Sequence, residues 1–171
     1  ANKVAKESDF VEPKTANYED LLLVHSKEYL NDFINLKWTH RTMTSELPLT
    51  SEIVELFMLS AGGTILASDI ALKHKIGFHI GGGWHHSFPD HAEGFCYIHD
   101  VAIAVKKLLR DKKVKRIATI DCDLHQGNGT AYIFNNIEEV FTFSIHQENL
   151  YPVKQKSNLD KGLDDYTGDK I

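Results

Sequence analysis

The chain has 171 residues, a formal net charge of -5, 42% hydrophobic residues and 25% charged residues, the proportions of one globular domain with a real core. The acidic balance argues against a nucleic-acid surface, which needs a basic stripe. No apolar run reads as long enough to span a bilayer, and the opening ANKVAKESDF lacks the apolar segment of a signal peptide.

In chain order, residues 16–37 carry apolar positions at 21, 22, 23, 30, 33, 34 and 36, a spacing that predicts one or two amphipathic helices broken near Ser26. Residues 38–50 read as a loop. Thr50 or Ser51 then caps a long helix running to about Lys75, with Glu52 and Glu55 in the first turn where the helix dipole favours acids. Within it, Ala61-Gly62-Gly63 permits close packing of another backbone. IGFHI at 76–80 reads as a short apolar strand that ends in Gly81-Gly82-Gly83. Residues 97–112 predict a helix with its apolar face at 98, 101, 102, 105, 108 and 109. RIATIDCD at 116–123 is a strand whose end turns polar, 130–136 a helix, and VFTFSIHQ at 140–147 a third strand, while 148–171 read as a polar extended loop. This order implies an α/β fold, a parallel sheet flanked by helices, with ligands bound outside the carboxyl ends of the strands. No repeat, low-complexity run or linker marks a second domain.

The unusual feature is ten histidines, six of them between His74 and His99. Asp123 and His125 lie two apart, so on extended chain they face the same way, and a carboxylate with an imidazole suits Zn²⁺ or Fe²⁺. Taken alone, that pair fits a structural role equally well. His85 and His86 converge only if the backbone bends, which the preceding glycines permit; paired imidazoles beside a metal-bound water suit general acid-base work. Two other chemistries compete. A phosphate-cradling turn would need a third glycine opening a helix, where Trp84-His85-His86 stands instead. A cysteine nucleophile would use Cys96 or Cys122, but Cys96 reads as a buried thiol and Cys122 as facing the scaffold. Two cysteines also make no disulfide framework, which points to the cytoplasm, or the nucleus in a eukaryote.

GGGWHH, GFCYIHDVAIA and IDCDLHQGNG, in this order and spacing, resemble the zinc-dependent histone deacetylase family. The likeness extends from LLLVHSKEYL through GGTILA to FTFSIH and LYP, and QGNG is most similar to the class IV branch and its bacterial relatives. The resemblance implies an arginase-like fold and the hydrolysis of an acyl-amide. The substrate would be an acylated lysine in a protein or, as an alternative, a small acylated amine such as an acetylpolyamine. It implies that Asp123 and His125 are two of three zinc ligands and that His86 is the general base. His85, oriented by Asp121, is then its partner, and Asn128 stands behind His86. Gly94, Phe95 and Tyr151 match walls of a tunnel for the acyl-lysine stem. Asp121, Asp123, His125 and Ser144 match a structural potassium site, with Phe134 at the start of a second. Glu46 is a candidate acid at the tunnel rim.

Two departures from the family pattern stand out. Asn128 replaces the aspartate many relatives place behind the second histidine, so the pH optimum or rate is expected to differ. No aspartate after Ser144 has a setting for the third ligand, since Asp160, Asp164, Asp165 and Asp169 all fall in the polar tail. The chain is therefore read as the N-terminal part of a single deacetylase-like domain, trimmed at its start and inactive by itself. A non-catalytic interaction module is the competing reading. A half-sheet would expose an edge and favour self-association.

Overall fold

A computed structural model describes residues 5–168, so Asp169 lies outside the described residues. The stretch 16–37 forms two helices, α1 (Tyr18–Leu21) and α2 (Lys27–Ile34), broken at Ser26, which accepts a hydrogen bond from the Tyr29 N–H as the cap of α2 (3.2 Å). The segment between α2 and the next helix holds only a 3-10 turn at Met43–Ser45.

Helix α3 spans Ser51–His74 and is capped by Thr50, with Lys75 in the left-handed conformation at its end. Its mean hydropathy reaches 1.5 over 18 residues, so by length and composition it is apolar enough to cross a bilayer, contrary to the expectation from sequence. Here it serves as a packing helix. Phe57, Ser60, Ala61, Gly62 and Gly63 are buried, and α4 (Asp100–Arg110) lies alongside. Helix α4 begins three residues later than its apolar pattern predicts, because the His99 side chain caps it by accepting from the Ala102 N–H (3.2 Å).

The sheet has three parallel strands in the order β1 (Ile117–Asp121), β2 (Val140–Gln147), β3 (Leu159–Leu163), with α5 (Asn128–Phe134) between the first two. Ile117 pairs with Val140 and Asp121 with Ser144, which places the polar end of β1 beside that of β2. Two strand assignments need correction. Residues 76–80 form no strand among the described residues: Ile76, Phe78 and Ile80 are 75%, 86% and 77% exposed, and no neighbouring strand offers them a ladder. Conversely β3 arises in the tail expected to be loop. LDKGL has little strand propensity, but Asn158 and Thr142 exchange hydrogen bonds (Thr142 N–H to Asn158 Oδ1, 2.8 Å; Asn158 N–H to Thr142 Oγ1, 3.0 Å), which sets it in register with β2.

The core centres on aromatic rings. Phe33, Phe57 and Tyr97 are packed at 5.2–6.4 Å between centroids, and Trp84 lies 4.8 Å from Phe57. Trp84 directly precedes the histidine pair, so the core and the site share a boundary residue.

Candidate active site

The glycine turn bends where the tandem histidines need it to. Gly83 has φ +99, a conformation that L side chains rarely adopt. Its N–H and that of Trp84 donate to the buried Asp100 carboxylate (3.0 and 2.9 Å), as does the Thr64 hydroxyl. The Trp84 indole N–H donates to Ser60 Oγ (2.8 Å), and beyond the pair the Ser87 hydroxyl donates to the Tyr97 carbonyl (2.8 Å). Clamped on both sides, the imidazoles of His85 and His86 sit 4.0 Å apart between centroids.

Each imidazole has a different partner. His85 Nδ1–H donates to Asp121 Oδ2 (2.6 Å), and its Nε2 lies 3.9 Å from Asp123 Oδ1. Burial alone would raise the Asp121 carboxyl, but the hydrogen bond and charge of His85 and the Asp123 N–H outweigh it and hold it below the usual aspartate range. His86 Nδ1 lies 2.7 Å from Asn128 Oδ1. Burial, reinforced by His85, lowers its pKa to about 4, so the ring is neutral near pH 7.

The Asp-x-Asp-x-His segment folds differently from the extended chain expected of it. Strand β1 ends at Asp121, and Asp121 Oδ1 accepts the Asp123 N–H (3.0 Å) while Asp123 Oδ1 accepts the His125 N–H (2.8 Å). Two successive Asx turns result, because short carboxylates reach backbone donors two residues on. They still bring the two side chains together, with His125 Nδ1 3.4 Å from Asp123 Oδ1. No group of three or more metal-binding side chains exists among the described residues. Asp123 and His125 supply one oxygen and one nitrogen, two donors of the kind that a divalent ion takes as part of its shell.

Gly94 and Tyr151 meet beside this cluster, with Phe95 next in the chain and half exposed. Glu93 and Cys96 close a tight turn with Gly94 at φ 51 and Phe95 at φ 65, an unfavourable backbone for an aromatic residue. Gly94 lies against Tyr151 and His86, where a Cβ would collide with both. The Tyr151 ring is 5.2 Å from His86 and 5.7 Å from His125. Glu46 is exposed, and its charge contributes to raising the Tyr151 hydroxyl pKa, after burial and Glu93. Ser144 is buried with Oγ 2.9 Å from His146 Nδ1, and Phe134 sits in the core at the opposite end of α5 from Asn128.

The cysteines do not join the site. Burial pushes the Cys96 thiol up to about 12, which removes it as a nucleophile near neutral pH. Cys122 is exposed rather than turned into a scaffold.

The family model for the histone deacetylase domain matches residues 1–170. The chain belongs to the histone deacetylase family. An uncharacterized protein of Picosynechococcus sp. is 38% identical over 89% of this chain and 51% of its own length. A probable deacetylase of Methanothermobacter thermautotrophicus is 36% identical over 84% of this chain and 44% of its own. The crystal structure of an HDAC homologue complexed with SAHA superposes with a TM-score of 0.77 at 30% identity, covering 85% of this chain and 41% of that one. The chain thus spans about half the length, or less, of the relatives it matches.

Three further residues of the candidate site carry no sequence signal. Asp100 anchors the glycine turn from α4. Gln126 is buried and clips the loop to the tail, donating to the Gln155 carbonyl (2.7 Å) and Asp160 Oδ1 (2.8 Å). Asp160 is thereby engaged structurally. Glu93 accepts hydrogen bonds from the Asn128 amide (2.7 Å) and the Tyr151 hydroxyl (3.0 Å). None has a local signal, since each partner lies 16 or more residues away in sequence.

Proposed function

We propose that this chain carries the acid-base half of a site that hydrolyses an acyl-amide, with N-acetyl- or N-acyl-lysine in a protein as the substrate. The observation that supports the reading most directly is the placement of the His85–Asp121 and His86–Asn128 pairs beside Asp123 and His125. Asp123 and His125 would hold a divalent ion, zinc or ferrous iron. When bound, such an ion polarises an acyl carbonyl and acidifies its water.

The chain's own residues do the remainder. His86 commits Nδ1–H to Asn128, which leaves Nε2 as a base for the water proton. His85 keeps Nδ1–H on Asp121, which fixes its ring beside that of His86, and the proton that His86 takes from water goes on to the departing amine. Gly94, Phe95 and Tyr151 provide a narrow wall for an aliphatic stem. A structural potassium ion bound by the backbone around Asp121–His125 with Ser144, and a second near Phe134, belong to the same proposal.

The test uses the active protein with an acetyl-lysine peptide, with and without a chelator. Hydrolysis should disappear on chelation and return with zinc, and His86→Ala should lower it by roughly 10²- to 10⁴-fold. Activity that survives complete metal removal would sink the reading.

A further inference from the structure

We infer that Glu93 is a positioning residue: it fixes the orientation of the Asn128 amide and, through it, the ring tautomer of His86. The catalytic meaning of this arrangement rests on the hydrolytic reading above; the arrangement itself does not.

An asparagine behind a histidine poses a problem that an aspartate does not. A carboxylate only accepts, so it dictates an N–H on the facing ring nitrogen. A carboxamide has an accepting and a donating end and can present either. If Asn128 offered its NH₂ group to His86 Nδ1, the ring would carry its proton on Nε2, and the face that must take a proton from water would be occupied. Some neighbour has to choose between the two.

Glu93 makes that choice. Its Oε1 lies 2.7 Å from Asn128 Nδ2, and an ionised carboxylate cannot receive an amide oxygen there. The amide end of Asn128 is therefore turned to Glu93 and the oxygen to His86 Nδ1, 2.7 Å away. Burial alone would raise the Glu93 carboxyl, but His91, 3.7 Å away, and hydrogen bonds from Asn128 and Tyr151 outweigh it and keep it below the usual glutamate range. Its backbone is fixed by the paired hydrogen bonds with Cys96 (3.1 and 2.9 Å). The negative charge that stands beside the histidine in an aspartate pair is here set one residue further back.

The experiment reads ring tautomers by long-range ¹H–¹⁵N correlation on the histidine-labelled chain, at a pH where His86 is neutral. It needs neither metal nor substrate, so it succeeds or fails independently of the hydrolytic reading. The parent chain should show His86 with Nδ1 protonated. Glu93→Gln should lower that tautomer ratio roughly tenfold or more, because a carboxamide at 93 no longer discriminates. Adding Asn128→Asp to Glu93→Gln should restore it, since a carboxylate at 128 dictates the N–H unaided. Glu93→Ala, measured beside it, guards against misfolding of the glutamine variant. Tyr151→Phe removes a donor but leaves the charge, and should leave the tautomer unchanged. A single Nδ1–H tautomer persisting in both Glu93 variants would overturn the inference, as would a Tyr151→Phe effect equal to theirs.

Discussion

Asn128 illustrates how much one atom's identity depends on what lies behind it. Replacing it with aspartate would usually strengthen the base by placing a charge on His86, which favours the imidazolium and moves the acid limb of the rate profile to higher pH. Here the new carboxylate would also face Glu93 Oε1 at the 2.7 Å now bridged by an N–H, and two such oxygens stay together only by sharing a proton. Asn128→Asp alone should therefore shift the acid limb of kcat/KM less than Asn128→Asp combined with Glu93→Gln. Equal shifts would show that Glu93 does not sense position 128. The histidines, Asp121, Asp123 and Asn128 were legible because they lie in two short motifs. Glu93 and Asp100 were not, because their roles exist only once segments far apart in sequence meet.

At the scale of elements, α4 is joined to the loop after the histidine pair by a second, buried histidine pair. His25 Nδ1–H donates to the Phe88 carbonyl (3.0 Å), and its Nε2 accepts the His99 N–H (3.0 Å); the His99 ring in turn reaches Thr130 on α5 (3.0 Å). Burial, with Lys106 assisting, lowers the His25 pKa to about 3, and burial with neighbouring histidines holds His99 well below its usual value. Both rings therefore bind a proton more readily in the unfolded chain. For His25 the contribution to stability is complete above about pH 6.5 and is lost as the pH falls toward about 3, at about 1.4 kcal/mol per pH unit, and His99 acts in the same direction. The urea midpoint should drop clearly between pH 7 and pH 5; an unchanged midpoint would contradict neutral burial of the pair. Periodicity located most helices and two strands because side-chain spacing is a local property. It failed at 76–80 and at β3 because strand pairing is not: an apolar run without a ladder stays open, and a polar one with a partner closes.

Across the whole molecule, several large apolar side chains lie in solvent. Ile76, Phe78 and Ile80 alternate outward from an extended segment, and Ile120 on β1 is 71% exposed. Apolar side chains on unpaired extended backbone favour association. Sedimentation of the chain should show concentration-dependent self-association, weakened by Phe78→Asp; a monomer at all concentrations, with or without that change, would refute it. The segment before the histidine pair is tied to the membrane-length helix α3, whose Ser60 and Thr64 are committed to Gly81 and to His79 and Asp100 (2.7 Å from Ser60 Oγ to the Gly81 carbonyl, 2.9 Å from Thr64 Oγ1 to His79 Nδ1).

Those attachments bear on how the site opens. The Gly83 and Trp84 amide protons belong to no helix or strand, yet both end on a carboxylate in the first turn of α4. They can exchange with solvent only when the turn parts from that helix. The backbone before the histidine pair is thus protected by a side chain of α4, although it has no regular structure of its own.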